Sequence, residues 1–379
     1  AALINSIGKM HEKAISQYQE LLDLGYTGIR TTYSAKSTVN DEVLNYGSHK
    51  DMMSQVKLKI AKDPKTEVTK SKYMDMIKAI GSNYLALDNN EKALEFIRQA
   101  SAANPTDYNL IIEEGTKISA DKGGTDVYLA VLKGGKIDIQ GTAENPVIMS
   151  SVDPQPADWG GLTFCRKATT TAGVDATAEV GGFIYGGNDD ADNSGAINYL
   201  VIRGTGAQIN SESQYNGISL YAVGSSTVID NVAVIDGADD GIEFFGGTVS
   251  ASNVYLENNE DDSIDWTEGW NGTVTNTYIS HTIEGFSTAF EGDKVNNNPK
   301  FDNVTAISSV DGTALQFKKE SGATITNLYL EGYEVNIDMK DGGSLDNVQI
   351  DGASATTTDP YNTGTKVDVS TWDWRLGSL

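Results

Sequence analysis

The sequence predicts a mainly β protein, a solenoid of strands and turns preceded by a small α-helical domain. Three observations predict it. Composition changes near Pro105, an asparagine opening a short apolar run recurs along everything beyond it, and helical periodicity is confined to what comes before.

The change in composition is large. The 379 residues carry a net charge of −25. Residues 1–106 hold 14 Lys/Arg and 12 Asp/Glu, a balance of +2; residues 107–379 hold 14 and 41, a balance of −27. Five of the 39 glycines precede residue 107 and 34 follow it. The reading is therefore a helical domain over 1–106 and a β domain over 107–379. An acidic field of this size repels phosphate backbones and anionic lipid, so nucleic acid is not an expected partner. No run of about 18 apolar residues occurs, so no membrane span is expected. The single cysteine, Cys165, excludes an internal disulfide and a cysteine-built metal site.

In the helical part, Ala14, Ile15, Tyr18, Leu21 and Leu22 form one apolar stripe. Between Met74 and Pro105, the residues Ile77, Ile80, Gly81, Tyr84, Ala93, Ile97, Ala100 and Pro105 fall at packing positions of a 34-residue helical pair, with Asp88-Asn89-Asn90 as its turn. This resembles one tetratricopeptide repeat, and an ordinary helical hairpin is the alternative. Around the junction, Ile111, Ile112, Thr116 and Ile118 read as strand and turn, although Gly115 also lies one repeat after Gly81.

Beyond residue 107 the repeat is written by Asn198, Asn231, Asn253, Asn276, Asn303, Asn327 and Asn347, at spacings of 33, 22, 23, 27, 24 and 20. Each precedes a short run such as Val232-Ala233-Val234, Val254-Tyr255-Leu256 or Leu328-Tyr329-Leu330. A period of 20 to 25 residues without helix or leucine-rich consensus points to stacked coils. A jelly roll or a propeller competes, and propeller blades need about 40 residues.

The spacing resembles the right-handed parallel β-helix of the pectate-lyase-like superfamily. That resemblance implies asparagines stacked at one corner, with the first and third residues after each facing the core and the second facing out. Trp159-Gly160-Gly161-Leu162, the stretch 181–188 and Asp239-Asp240-Gly241-Ile242-Glu243-Phe244 are similar to secreted or lipoprotein-type bacterial β-helix proteins. The implied location is extracellular or the bacterial cell surface.

Chemistry concentrates in the acidic residues. Asp239, Asp261, Glu284 and Asp311 each stand eight residues after a repeat asparagine. Equivalent positions on coils about 4.8 Å apart would crowd carboxylates at a cost of about 3 kcal/mol per pair at an effective dielectric of about 20. A hard cation such as Ca²⁺ relieves that cost, so Asp239, Asp240, Asp261, Asp262 and Glu284 are candidate metal ligands, supplemented by Glu243 and Asp265. A solvated acidic column is the alternative. Asp239-Asp240 also resembles the paired aspartates of polygalacturonase-type hydrolases, making Asp239, Asp240 and Asp261 candidate catalytic residues. Against that reading, His281 is flanked by Ser280 and Thr282 and no Arg-x-Lys follows it. A lyase base would have to come from Lys294, Lys318 or Lys319. Tyr255, Tyr278 and Tyr329 occupy outward positions, and Trp266 and Trp270 flank the acids, so these five are candidate glycan-stacking residues. Trp266 also aligns with Phe244 and could pack inward.

The function expected is a cell-surface or secreted binding or structural protein. It presents an acidic, aromatic-studded face to glycan or a surface protein, and the helical module docks a protein partner. The alternative is a polysaccharide hydrolase or lyase using Asp239, Asp240 and Asp261.

Overall fold

A computed structural model describes Ser16 and residues 109–379, apart from Glu212, Val295, Asn297 and Asn298. The apolar stripe of residues 14–22 and the helical pair at 74–105 lie outside the described residues. The strand reading at the junction holds where described, with strands Asn109–Glu113 and Lys117–Ala120.

Two parallel sheets form the walls of a β-helix. A 12-stranded sheet runs in order through Gly195–Arg203, Val228–Ile235, Ala251–Glu257, Thr273–His281, Lys300–Ser308 and Ala323–Glu331. An 8-stranded sheet stacks Leu129–Val131, Leu162–Cys165, Ile218–Tyr221, Ile242–Phe245, Asp262–Thr267, Thr288–Gly292, Thr313–Phe317 and Val335–Met339. Every pairing along these stacks is parallel and skips to the next coil, which neither a jelly roll nor a propeller blade provides. Each long strand of the first sheet bends in its middle, so one sheet supplies two faces of the coil.

The bend is where the repeat asparagines sit. Asn231, Asn253, Asn276, Asn303 and Asn327 all have left-handed backbone, with φ between 50° and 57°, a region asparagine tolerates better than branched or bulky residues. Their amides form a chain. Asn327 Nδ2 donates to Asn303 Oδ1 at 3.1 Å, Asn303 to Asn276 at 3.0 Å, Asn276 to Asn253 at 3.0 Å, and Asn253 to Asp230 Oδ1 at 2.8 Å. Two assigned members are displaced. Tyr199, with φ 49°, holds the corner position, so Asn198 lies one residue early and pairs in the strand with Asp230. Asn347 precedes Val348, the register partner of Ala323, and donates to Glu320 O at 2.8 Å.

The alternation after the corner follows the expectation. Val232 and Val234, Val254 and Leu256, Val304 and Ala306, and Leu328 and Leu330 all enter one continuous apolar core. Trp266 and Trp270 are in it too, both fully buried. Trp266 lies in register with Phe244, and Trp270 stacks on Phe244 at 3.9 Å between ring centroids. These tryptophans are therefore core residues and cannot stack on a ligand from the surface.

The tyrosine row points outward as expected, with Tyr255 opposite Tyr278 and Thr305 opposite Tyr329, but it is covered. Residues 361–377 cross the coils over it. Val369, Trp372 and Trp374 pack with Tyr199, Tyr255 and Tyr278. Arg375 lies over the Tyr255 ring and Lys366 over Tyr329. Tyr255 is buried by this strap, which removes it from an exposed sugar platform.

Candidate functional site

On the 8-stranded sheet, alternation sends Ile242, Ile264, Phe290 and Leu315 inward, together with Phe244, Trp266 and Phe317. The residues between them face out. In register they are Glu243, Asp265, Glu291 and Gln316, one per coil. Asp240 and Asp262 adjoin this column at the strand entries. Asp240 Oδ1 accepts the Asp262 N–H at 2.9 Å, and Thr288 Oγ1 donates to Asp262 Oδ1 at 2.5 Å. Gly241 lets the backbones approach here, since a Cβ on it would stand 2.6 Å from Ser263 O. Asp239 is half-buried and Asp261 exposed at the edge.

Three sets of carboxylates result: Asp239, Asp240 and Asp261; Asp240, Glu243 and Asp265; and Asp262, Asp265 and Glu291. Within each set one oxygen per residue lies within 4.8 Å of the others. Asp240 and Asp265 are shared, so seven carboxylates form one continuous acidic site. Internal partners satisfy the site only in part, at Asp240 and Asp262 as above and at Glu243 and Glu291. Asn216 Nδ2 donates to Glu243 Oε2 at 2.7 Å, and Gln316 and Lys318 both donate to Glu291. In the middle, Asp265 is 9% exposed and its Oδ1 has no hydrogen-bond partner.

The electrostatics follow from crowding in a dry place. Burial, then the neighbouring carboxylates, push Asp240, Glu243, Asp262 and Asp265 well above the usual carboxylate range. Asp239 is pushed up to about 8 by burial and by Asp261. The Lys318 ammonium is held above its ordinary value by its bond to Glu291, despite burial acting the other way. Protons or a bound cation would relieve this crowding.

Of the sequence-assigned acids, Asp239, Asp240, Asp261 and Asp262 come together, with Glu243 and Asp265. Glu284 does not; it is exposed, and no carboxylate set contains it. Its place is taken by Glu291, the strand partner of Asp265. The connection from His281 to Thr288 is longer than that from Glu257 to Asp262, so counting from Asn276 stops short of the strand. Asp311 is likewise exposed. His281 is a core histidine whose Nε2 meets Ser263 Oγ at 3.1 Å and whose ring stacks on Phe286 at 3.8 Å. Burial lowers its pKa to about 4. Lys294 pairs with Glu268 at 3.7 Å and Lys319 with Asp293 at 3.2 Å.

Sequence reasoning also missed the wall beside the site. The excursion after Cys165 is anchored by a buried ion pair, Arg166 Nε to Asp192 Oδ2 at 2.8 Å. It brings Tyr185 against Tyr221 and Phe245, and the Tyr185 hydroxyl donates to Glu268 Oε2 at 2.8 Å. Glu179 on this excursion adds its charge to Glu243 and Asp239. Nothing periodic in residues 166–192 marks them as part of a site.

A family model described as pectate-lyase like beta helix domain matches residues 91–373. The match begins inside the stretch read above as the second helix of a repeat. No curated protein and no solved structure matches the chain.

Proposed function

From the premise that the chain belongs to the pectate-lyase-like β-helix family, we propose that it engages a glycan of the cell surface or its surroundings through divalent cations held by the acidic column. The observation that carries this reading is the spacing of the carboxylate oxygens. Two oxygens bound to one Ca²⁺ at about 2.3–2.6 Å stand no more than about 5.2 Å apart, and each set lies within 4.8 Å. The donors are all carboxylate oxygens, which select a hard cation such as Ca²⁺ over a thiophilic metal. Asp265, the residue shared by two of the sets, has an Oδ1 that is buried without a hydrogen-bond partner. Carboxylate or hydroxyl groups of a glycan would complete the coordination shell, overcoming the repulsion that a bare acidic face exerts on an acidic polymer.

An extracellular or bacterial cell-surface location accords with this use, since extracellular Ca²⁺ modules bind in the range of about 10⁻⁴–10⁻³ M. The tetratricopeptide-like stretch within residues 1–106 would then dock a protein partner.

Hydrolysis is the second reading, favoured by the environment of Asp239, where burial and Asp261 push the carboxyl up to about 8, the direction a general acid needs. Oxygens of Asp239, Asp240 and Asp261 lie within 4.8 Å of one another, which argues against the about 6.5–9.5 Å separation of inverting enzymes and is nearer the about 5–5.5 Å of retaining ones. Lysis by Lys318 is disfavoured, because its bond to Glu291 makes the ammonium a weaker acid.

A panel of acidic and neutral polysaccharides, offered with Ca²⁺ and with chelator, tests the proposal. Binding that is lost on chelation and in Asp265→Asn supports it, and binding indifferent to both overturns it. Release of reducing ends without an unsaturated product, lost in Asp239→Asn, would establish the hydrolase instead.

A further inference from the structure

Among the described residues a single aromatic side chain is exposed, Tyr128, with 39% of its surface open to water. Its place is set by the stacking of coils at the entry to the 8-stranded sheet. Gly160 N–H donates to Val127 O at 2.7 Å and Leu162 N–H to Gly217 O at 3.0 Å, so the coils carrying Tyr128, Gly160 and Tyr215 follow one another. Gly217 N–H donates in turn to Asp240 O at 2.8 Å, and the Gln214 amide to Ala238 O at 3.2 Å. Tyr215 therefore stands one coil before Asp239, at the edge of the carboxylate set of Asp239, Asp240 and Asp261.

The ring of Tyr128 reaches Tyr215 across the coil between them because that coil carries Gly160. A Cβ on Gly160 would stand 2.9 Å from Tyr215 Cδ2 and 3.0 Å from Tyr128 Cβ. Without one, the two rings stack, 5.3 Å between centroids and 20° between planes. Tyr215 is buried and serves as the floor. Phe183 tilts against Tyr128 at 5.7 Å and 59°, delivered by the hairpin of Ala176–Thr177 and Ile184–Tyr185. The same hairpin carries Glu179, whose charge acts on Asp239. Three rings and a glycine thus fix the orientation of one ring and leave it in water. Exposed apolar area gives the core nothing, whereas a flat ring held in place before a ligand arrives lowers the ordering cost of binding.

We propose that Tyr128 is a stacking residue for the glycan held at the acidic column, and that the glycan runs along the solenoid axis from the carboxylates toward the N-terminal coils. The proposal rests on the reading of the column as a cation-dependent glycan site, and it adds a chain-length requirement. One coil of about 4.8 Å separates Tyr215 from Asp239, and the Tyr128 ring lies a further 5.3 Å from the Tyr215 ring. The ring and the nearest carboxylates are therefore on the order of 10 Å apart. A sugar chain that spans this distance uses both contacts at once, and a shorter one gains nothing from the ring. The CH face of a sugar suits the ring, and its carboxylates or hydroxyls suit the cation.

Two size series, uronic-acid oligomers and neutral glucan oligomers, titrated with saturating Ca²⁺ and again in chelator, test the proposal. With Ca²⁺, affinity should step up about tenfold once the oligomer is long enough to reach the ring. Tyr128→Ala should remove that step. Tyr128→Leu, which keeps apolar packing against Tyr215 and Phe183, should remove it too, and Tyr128→Phe should restore it. The loss should be confined to the long oligomers, with the Ca²⁺ response of the melting temperature unmoved. Calcium-dependent binding whose length profile is the same in Tyr128→Leu overturns this proposal and leaves the cation reading of the column standing. A length step that persists in chelator and disappears in Tyr128→Leu keeps the stacking role and overturns the cation reading. Absence of binding to both series, with and without Ca²⁺, overturns the two together.

Discussion

The asparagine ladder and the carboxylate column are built alike, with one polar side chain per coil at a fixed register position, and they differ in hydrogen-bond inventory. An amide donates and accepts, so each rung satisfies the next, from Asn327 down to Asp230. An ionised carboxylate only accepts, so Glu243, Asp265 and Glu291 stacked in register cannot satisfy one another. The ladder stabilises the fold by its own geometry. The acidic column stabilises it only when protons or a cation enter. A repeated polar position is thus a self-sufficient structural device when the residue is self-complementary and needs outside partners when it is not.

The largest expected difference is in pH dependence. In chelator, the raised carboxyls of the column keep protons in the folded state that the unfolded chain has released, so stability falls as pH rises, through about 8 for Asp239. His281 acts oppositely, since its pKa is lowered from 6.5 to about 4, but its contribution is complete above 6.5. Between pH 6.5 and 8 the denaturation midpoint of chelated protein should therefore drop. With saturating Ca²⁺ it should be flat or rise over the same interval, because the metal binds the deprotonated ligands. A chelated midpoint that rises with pH would contradict the comparison.

Next in size is a break in the ladder. Asn276→Ala removes its bond to Asn253, strands the Asn303 donor, and puts alanine at φ 57°. A loss of about 2–3 kcal/mol in urea unfolding is expected, from about 1 kcal/mol per hydrogen bond and about 1–2 kcal/mol for the left-handed backbone. Asn276→Gly should lose less, since glycine is free of the backbone strain.

The corresponding change in the acidic column should have the opposite sign. In chelator at neutral pH, Asp265→Asn is expected to stabilise by about 1–3 kcal/mol, because asparagine needs no proton whereas the raised Asp265 carboxyl must take up on folding a proton that the unfolded chain has released. The same variant should lose the stabilisation that Ca²⁺ gives the unmutated protein. Destabilisation in chelator would mean that Asp265 is held by partners the structure does not show.

The smallest effect separates two glutamates. Glu291→Gln should weaken the Ca²⁺ response of the melting temperature at least several-fold, whereas Glu284→Gln should leave it unchanged. Equal effects would restore the count from the asparagines and reject the strand register as the guide to the site.

That last contrast shows what the sequence could carry. The ladder was legible at Asn231, Asn253, Asn276, Asn303 and Asn327 because a left-handed corner selects asparagine and the spacing repeats. The acidic site was legible at Asp239, Asp240, Asp261 and Asp262, where the connection from corner to next strand has a regular length. It failed at Glu284, where that connection lengthens around the His281 and Phe286 stack. Trp266 was placed in the core by its register with Phe244, a relation that the coil period already contained. Burial of Tyr255 was not legible, because the strap that covers it, with Trp372 and Trp374, has no strand period and packs against residues more than 100 positions away.

The central claim, that the acidic column is completed by a divalent cation, is tested most directly by calorimetric titration of metal-free protein with Ca²⁺ at neutral pH in two buffers of different ionisation enthalpy. The account predicts saturable binding with release of protons from the column, abolished in Asp265→Asn. It also predicts a gain of about 2.7 kcal/mol in unfolding free energy when free Ca²⁺ is about 100 times its dissociation constant. Absence of saturable binding, with sodium chloride stabilising the protein as well as calcium does, would contradict it.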